Sequence, residues 1–207
     1  MGRLTRYLAL LICAGLLVVI TPWKLAEAGT PVTLYQSFAG NMNFVATGGT
    51  LRSQSDAVNP CSLTPTNTST SPLSGIPGTA TITAAYLYWA GSGSAGDYTV
   101  TFDGSSITAD RTFVENYNAT YDFFSGFKDV TAQIAAKANP NVNYSFGGLA
   151  VDSGAPYCGV NAVLSGWGLL VVYEDAAEPL RVINVFDGFQ YFRGSSVTLT
   201  PSNFRIP

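Results

Sequence analysis

One stretch, Thr79 to Gly91 (TATITAAYLYWAG), constrains this chain more than any other. Ile82, Ala84, Tyr86 and Tyr88 alternate with Thr83, Ala85, Leu87 and Trp89, the period of two that sends successive side chains to opposite faces of a strand. Toward its end both sets are apolar, which predicts a central strand buried on both sides. A second run, Trp167 to Tyr173 (WGLLVVY), is nearly uninterrupted apolar and belongs in the core.

Shorter strands surround these two. Pro31–Phe38 and Asn43–Thr47 flank a Gly40-Asn41 turn, and Asp97–Phe102 meets Ile107–Ala109 across Asp103-Gly104, a strong hairpin signal. Asn143–Val151, Gly166–Glu174, Leu180–Phe186 and Ser196–Thr200 complete the set. Residues Val58–Gly78 hold four prolines among Ser, Thr and Asn and predict a solvated loop. A single helix is expected over Asp129–Ala138: Asp129 caps it, Val130, Ile134 and Ala138 share a face, and Asn139-Pro140 stops it. Many short strands with Gly/Pro turns and one short helix define an all-β chain, a β-sandwich of jelly-roll-like type.

The N-terminus has the order of an export signal. Arg3 and Arg6 precede an apolar run from Tyr7 to Ile20, and Ala26-Glu27-Ala28 supplies a small-x-small cleavage site before Gly29. The run is short for a spanning helix, which needs about 20 residues. Leu11-Ile12 ahead of Cys13 argue against lipid attachment there. Residues 1–28 are therefore expected to be a signal peptide, and residues 29–207 a single secreted domain with no later membrane span. Removing Arg3, Arg6, Lys24 and Glu27 from ten basic and thirteen acidic side chains leaves seven and twelve, a net charge of −5. That balance lacks the basic stripe a nucleic-acid partner requires. The chain's end, Val197 to Pro207, has strand and turn character without a closing signal and predicts a domain cut from a longer reading frame.

Cys61 and Cys158 remain after processing, and in an exported chain such a pair predicts a disulfide. A loop of that size contributes on the order of 4–5 kcal/mol in the chain-entropy model. Two cysteines without histidine are a poor zinc set.

Few motifs carry chemistry. Gly91-Ser-Gly93-Ser-Ala-Gly96 matches a dinucleotide fingerprint, but a strand follows where a helix is required, so a flexible strand connection is expected and no cofactor. The chain has no histidine, which removes the usual Ser-His and Cys-His pairs. Asp103, Asp110, Glu115, Asp122, Asp152 and Asp187 could in principle supply a glycosidase pair. Asp103-Gly104 and Asp187-Gly188 nevertheless look like turns. No catalytic residue is assigned. Asp152-Ser-Gly and Glu174-Asp175 are the clusters that could reach calcium, without any EF-hand pattern, so the metal remains an open question. Tyr117, Tyr121, Phe123, Phe124 and Phe127 crowd one segment, where exposed rings would stack on sugars or proteins and buried ones would pack the sheet. Asn67, Asn118 and Asn143 head N-glycosylation patterns.

Ala84-Ala-Tyr-Leu-Tyr-Trp-Ala-Gly91, Val100-Thr-Phe-Asp-Gly104, Phe127-Lys-Asp-Val-Thr131, Gly166-Trp-Gly-Leu-Leu-Val-Val-Tyr-Glu-Asp175 and Phe186-Asp-Gly-Phe189 occur in this order. As a set, spanning about Leu51 to Phe192, they resemble the conserved N-terminal β-sandwich domain of large bacterial and archaeal cell-surface proteins (adhesin-like, DUF11-repeat-associated). The resemblance implies a surface setting and further β-repeats downstream, and it brings no catalytic set. The expected function is a non-catalytic extracellular surface or matrix module, for adhesion or structure, with a glycan or protein partner. The alternatives are a lectin-like carbohydrate-binding domain, with or without calcium, and a secreted glycoside hydrolase.

Overall fold

The computed structural model describes residues 29–192 and 198–206. The signal-peptide reading of residues 1–28 lies outside the described residues, as do Ser196 and Val197 of the last expected strand. Thr198 to Thr200 carry no strand.

Two antiparallel sheets face each other. The larger contains β1 (Thr30–Thr50), β3 (Thr81–Ser92), β6 (Arg111–Asn116), β7 (Asp122–Asp129), β9 (Ser165–Glu174) and β10 (Leu180–Phe189), in the order β10-β1-β9-β3-β7-β6. The smaller contains β2 (Thr68–Pro72), β4 (Thr99–Phe102), β5 (Ser105–Thr108) and β8 (Asn143–Gly147), in the order β2-β8-β4-β5. One helix, α1 (Thr131–Ala135), follows β7. The described residues form a sandwich-like all-β fold with one short α-helix among them, as the strand periodicity and turn chemistry predict.

β3 and β9 lie side by side in the middle of the large sheet and are covered on both faces. Toward the small sheet they present Ala85, Leu87 and Trp89, and Trp167, Leu169, Val171 and Tyr173. These pack on Val100, Phe102, Ile107, Tyr144 and Phe146. Toward the other face they present Ala84, Tyr86 and Val172, which pack on Met42, Phe113, Phe127 and Val185. Removing a large apolar side chain from water contributes roughly 2–3 kcal/mol, so these two strands anchor both cores.

The second core is covered by the large sheet itself. β1 pairs with β10 up to Asn41 and with β9 from Met42 onward. The change of partner comes just after Gly40, at φ +155°, where the sequence predicts a turn between two strands. The β1/β10 ribbon then lies over the outer face, with Tyr35, Phe38, Ile183 and Phe189 against Tyr86 and Phe127. This curl brings β10 beside the opposite edge strand β6.

Several boundaries differ from expectation. The loop expected over 58–78 contains β2, whose Ser/Thr residues pair with β8. The aromatic segment forms β7, hydrogen-bonded between β3 and β6. The helix is shorter than 129–138: its N-cap is Val130 rather than Asp129, which lies one residue before it and accepts the Thr131 N–H through Oδ1 at 2.9 Å, and helical geometry ends at Ala135. Asp103 and Gly104, at φ +49° and +79°, form the expected tight turn between β4 and β5. Asp187-Gly188 is not a turn; both residues lie inside β10.

Candidate functional site

The loops of one end of the sandwich are tied into a single surface. The disulfide Cys61–Cys158 joins the loop at 51–67 to the loop at 148–164, with Cα atoms 5.0 Å apart across 97 residues. Arg52 donates from Nη1 to the Val163 carbonyl at 3.1 Å, and Asn67 donates to the Leu149 carbonyl. Ser92, at the end of β3, donates to the Asp152 carbonyl at 2.8 Å. The Tyr157 hydroxyl bonds both the N–H and the carbonyl of Asp122, each at 3.0 Å, and burial pushes its phenol pKa up. Hydrogen bonds and one covalent link thus fix loops that would otherwise be mobile.

The aromatic segment divides cleanly on this surface. Phe123, Phe124 and Phe127 are buried, because β7 is hydrogen-bonded on both sides and both its faces meet a core. Tyr117, in the turn between β6 and β7, is 39% exposed, and Tyr121 is half-buried. Tyr117 stands edge-on to Tyr191, and Tyr121 edge-on to Tyr157, with ring centroids 4.6 and 5.5 Å apart. The result is a tyrosine ledge with rigid backing and open ring surface. A cleft of about 140 Å³ at the same end is lined by Ser92, Gly93, Asp97, Phe124 and Asp152, among others. The Gly91–Gly96 segment forms its rim as a strand-to-strand connection, as expected.

The candidate calcium clusters are at opposite ends of the sandwich. Asp152 borders the cleft at the Ser165 end of β9, whereas Glu174 and Asp175 stand at the far end of that strand. Asp175 is buried and accepts Thr79 Oγ1 and the Ala177 N–H; the Thr79 bond, above all, holds its carboxyl below the usual range. Among the described residues, no three acidic or cysteine side chains gather around one point.

Most other carboxylates serve the fold. Asp110 pairs with Lys128 at 2.5 Å, and that bond lowers its pKa. Glu178 accepts from Asn43 at 3.1 Å and pairs with Arg181 at 2.7 Å, which lowers its pKa too. Asp103 pairs with Lys137 at 2.6 Å, and Asp97 accepts the Thr99 and Ala150 N–H groups. Asp110, Asp175 and Glu178 are thus each held toward the ionised form by the bonds they accept.

One polar cluster went unforeseen in the sequence. Arg111 on β6 pairs with Asp187 on β10 and lies over the rings of Tyr35, Phe127 and Phe113 at 4.3, 4.6 and 5.1 Å. Tyr88 donates its hydroxyl to the same Asp187 at 3.1 Å, and burial with that charge raises its pKa strongly. The signal was present: Arg111, Phe113 and Glu115 share one strand face, and Phe113 marks it as inward. Of the three glycosylation patterns, Asn67 is engaged in its own hydrogen bond, while Asn118 and Asn143 are exposed.

No curated protein and no solved structure matches the chain. Residues 27–203 match the family described as "Protein of unknown function (DUF3344)", and the chain belongs to that family.

Proposed function

We propose that this domain is a non-catalytic extracellular module of a cell-surface or matrix protein, presenting its disulfide-tied loop end to a glycan or protein partner. The observation that carries the proposal is the tyrosine ledge of Tyr117 and Tyr121, on the β6–β7 turn that Tyr157 fastens to the loop tied by Cys61–Cys158. Exposed tyrosines give large contact area at low entropic cost, and rigid backing limits what binding must order. The commitment of Asp103, Asp110, Asp175 and Glu178 to structural bonds supports a binding role over a hydrolytic one. The export signal of residues 1–28 and the likeness to adhesin-like surface proteins supply the extracellular setting.

The test is binding of the oxidised domain to immobilised glycans and surface proteins, compared with a Tyr117→Ala/Tyr121→Ala variant. A loss of tenfold or more is expected, since interfacial tyrosines commonly carry over 1 kcal/mol each. Unchanged binding by a folded variant would sink the proposal for this ledge.

A lectin-like role is the second reading, favoured by the cleft at whose edge the exposed Asp152 carboxylate could meet sugar hydroxyls. Saturable binding of a defined oligosaccharide selects it, and loss of that binding in chelator would add calcium. Release of reducing sugar, abolished by substituting two specific carboxylates, would instead select the hydrolase.

A further inference from the structure

Glu115 is the buried carboxylate that the rest of the structure does not explain. It lies on β6 with 5% of its surface exposed, on the same inward face as Arg111 and Phe113. Its one described hydrogen bond is long, 3.4 Å from the Tyr191 N–H to Oε2. Arg111, four residues earlier on the same face, is taken by Asp187. A carboxylate removed from water without a cation is costly, and a protein normally supplies a partner.

The residue beside it is Gly29, itself buried. A β-carbon at Gly29 would collide with Glu115 Oε2 and with the Phe189 carbonyl oxygen, so only glycine fits there. Bond lengths then place the Gly29 α-nitrogen within about 5 Å of the carboxylate. Gly29 is also the residue that follows Ala26-Glu27-Ala28, where the sequence predicts signal-peptide cleavage. The family match begins at residue 27, two residues before that position.

We infer that cleavage after Ala28 creates a cation that no other described residue supplies: the new α-ammonium of Gly29 pairs with Glu115 and locks the end of β1 against β6 and β10. Hydrolysis of the Ala28–Gly29 peptide bond by the export peptidase leaves a carboxylate on Ala28 and an ammonium on Gly29. The amide N–H there is one neutral donor; the ammonium offers three donors and a charge. The Glu115 carboxylate and the Phe189 carbonyl are acceptors already in place. Maturation thereby completes the seam between the two edges of the large sheet, and the processed domain is more stable than the same domain with its N-terminus extended.

The experiment compares chains starting at Gly29 with chains retaining Ala28, each with Glu115 and with Glu115→Gln. Retaining Ala28 is expected to lower the melting temperature, and E115Q to lower it by roughly 10 °C in the Gly29 form. In the Ala28 form E115Q should cost far less. An equal cost in both forms assigns the carboxylate another partner and overturns the inference. So does an intact mass of exported protein that places the N-terminus elsewhere. Should E115Q fail to fold, acylation of the unmutated Gly29 form decides: its α-amine should resist the reagent, and labelling as fast as a free glycine peptide refutes the latch.

Discussion

Both faces of the large sheet are buried, yet they are built differently. The inner face meets a separate sheet and is packed by shape. Phe146 stacks on Trp167 and Phe102 on Tyr144, with ring planes within 9° and 6° of parallel. Trp89 is 1% exposed, with its Nε1 donating to the Asp97 carbonyl at 2.9 Å. The outer face is covered by the sheet's own curled edge, which leaves a seam between β6 and β10. Charges occupy that seam: Arg111 with Asp187, and Glu115 beside Gly29. A core sealed by a second layer can exclude charged groups altogether. A core closed by an edge returning on itself needs groups that fix where the edge lands, and paired charges do that directionally.

The comparison is broken most severely from the inner side. Trp89→Ala should cost about 4 kcal/mol or more, the loss of transferred area plus a cavity that rigid neighbours cannot fill. Urea unfolding with an unchanged slope would check it; a cost near 1 kcal/mol would mean the inner core can collapse. Gly126→Ala should be the next largest, about 2–3 kcal/mol of overpacking, because Gly126 faces Trp89 across the β3–β7 pair. A β-carbon there would overlap the indole ring. A neutral result would show that β7 can move away from β3.

The outer face should respond less, and through charge. Arg111→Leu is expected to cost about 2 kcal/mol, since Asp187 is left beside Tyr88 without its cation while the partly exposed seam admits some water. Adding Asp187→Asn should recover part of that loss. Strictly additive costs in a double-mutant cycle would reduce the pair to independent packing contributions.

The legibility of these regions in the sequence differs for the same reason. β3 and β9 were readable because burial on both faces leaves a nearly continuous apolar run. Cys61 and Cys158 were readable because two cysteines behind an export-like N-terminus point to a disulfide without any knowledge of the fold. β6, RTFVEN, alternates correctly, but its inward positions are Arg111, Phe113 and Glu115, so inward polarity looks like outward polarity. β7 hid because Ser125 and Gly126 interrupt its aromatics; Gly126 is there to admit Trp89. β2 is a polar edge strand ending in Pro72, indistinguishable by composition from a loop until β8 pairs with it. Asp187-Gly188 carries turn chemistry, but pairing with β1 makes Asp187 a strand residue, and the curl that brings β10 beside β6 gives it a cation to hold. The tyrosine ledge was half legible: the cluster stood out, but alternation alone could not separate Tyr117 from Phe123.

The smallest effect is also the one that separates the two faces most selectively. Burial raises Tyr144 on the inner face and Tyr86 on the outer face, each to about 12, and raises Tyr88 further. A phenol whose folded pKa exceeds its unfolded value near 10 contributes stability that is complete below pH 10. That contribution is lost as pH climbs from 10 toward the folded value, because the unfolded chain releases the proton first. Unfolding free energy should therefore fall steadily above pH 10, and phenolate absorbance should report these rings ionising late. Asp187→Asn removes the charge that helps keep Tyr88 protonated, so it should lower the Tyr88 pKa and leave Tyr144 where it is. Tyr144 feels burial and then Asp103, and neither changes in that variant. If both rings moved together, the two cores would share one electrostatic environment, and the seam would not be the separate charged closure that its geometry describes.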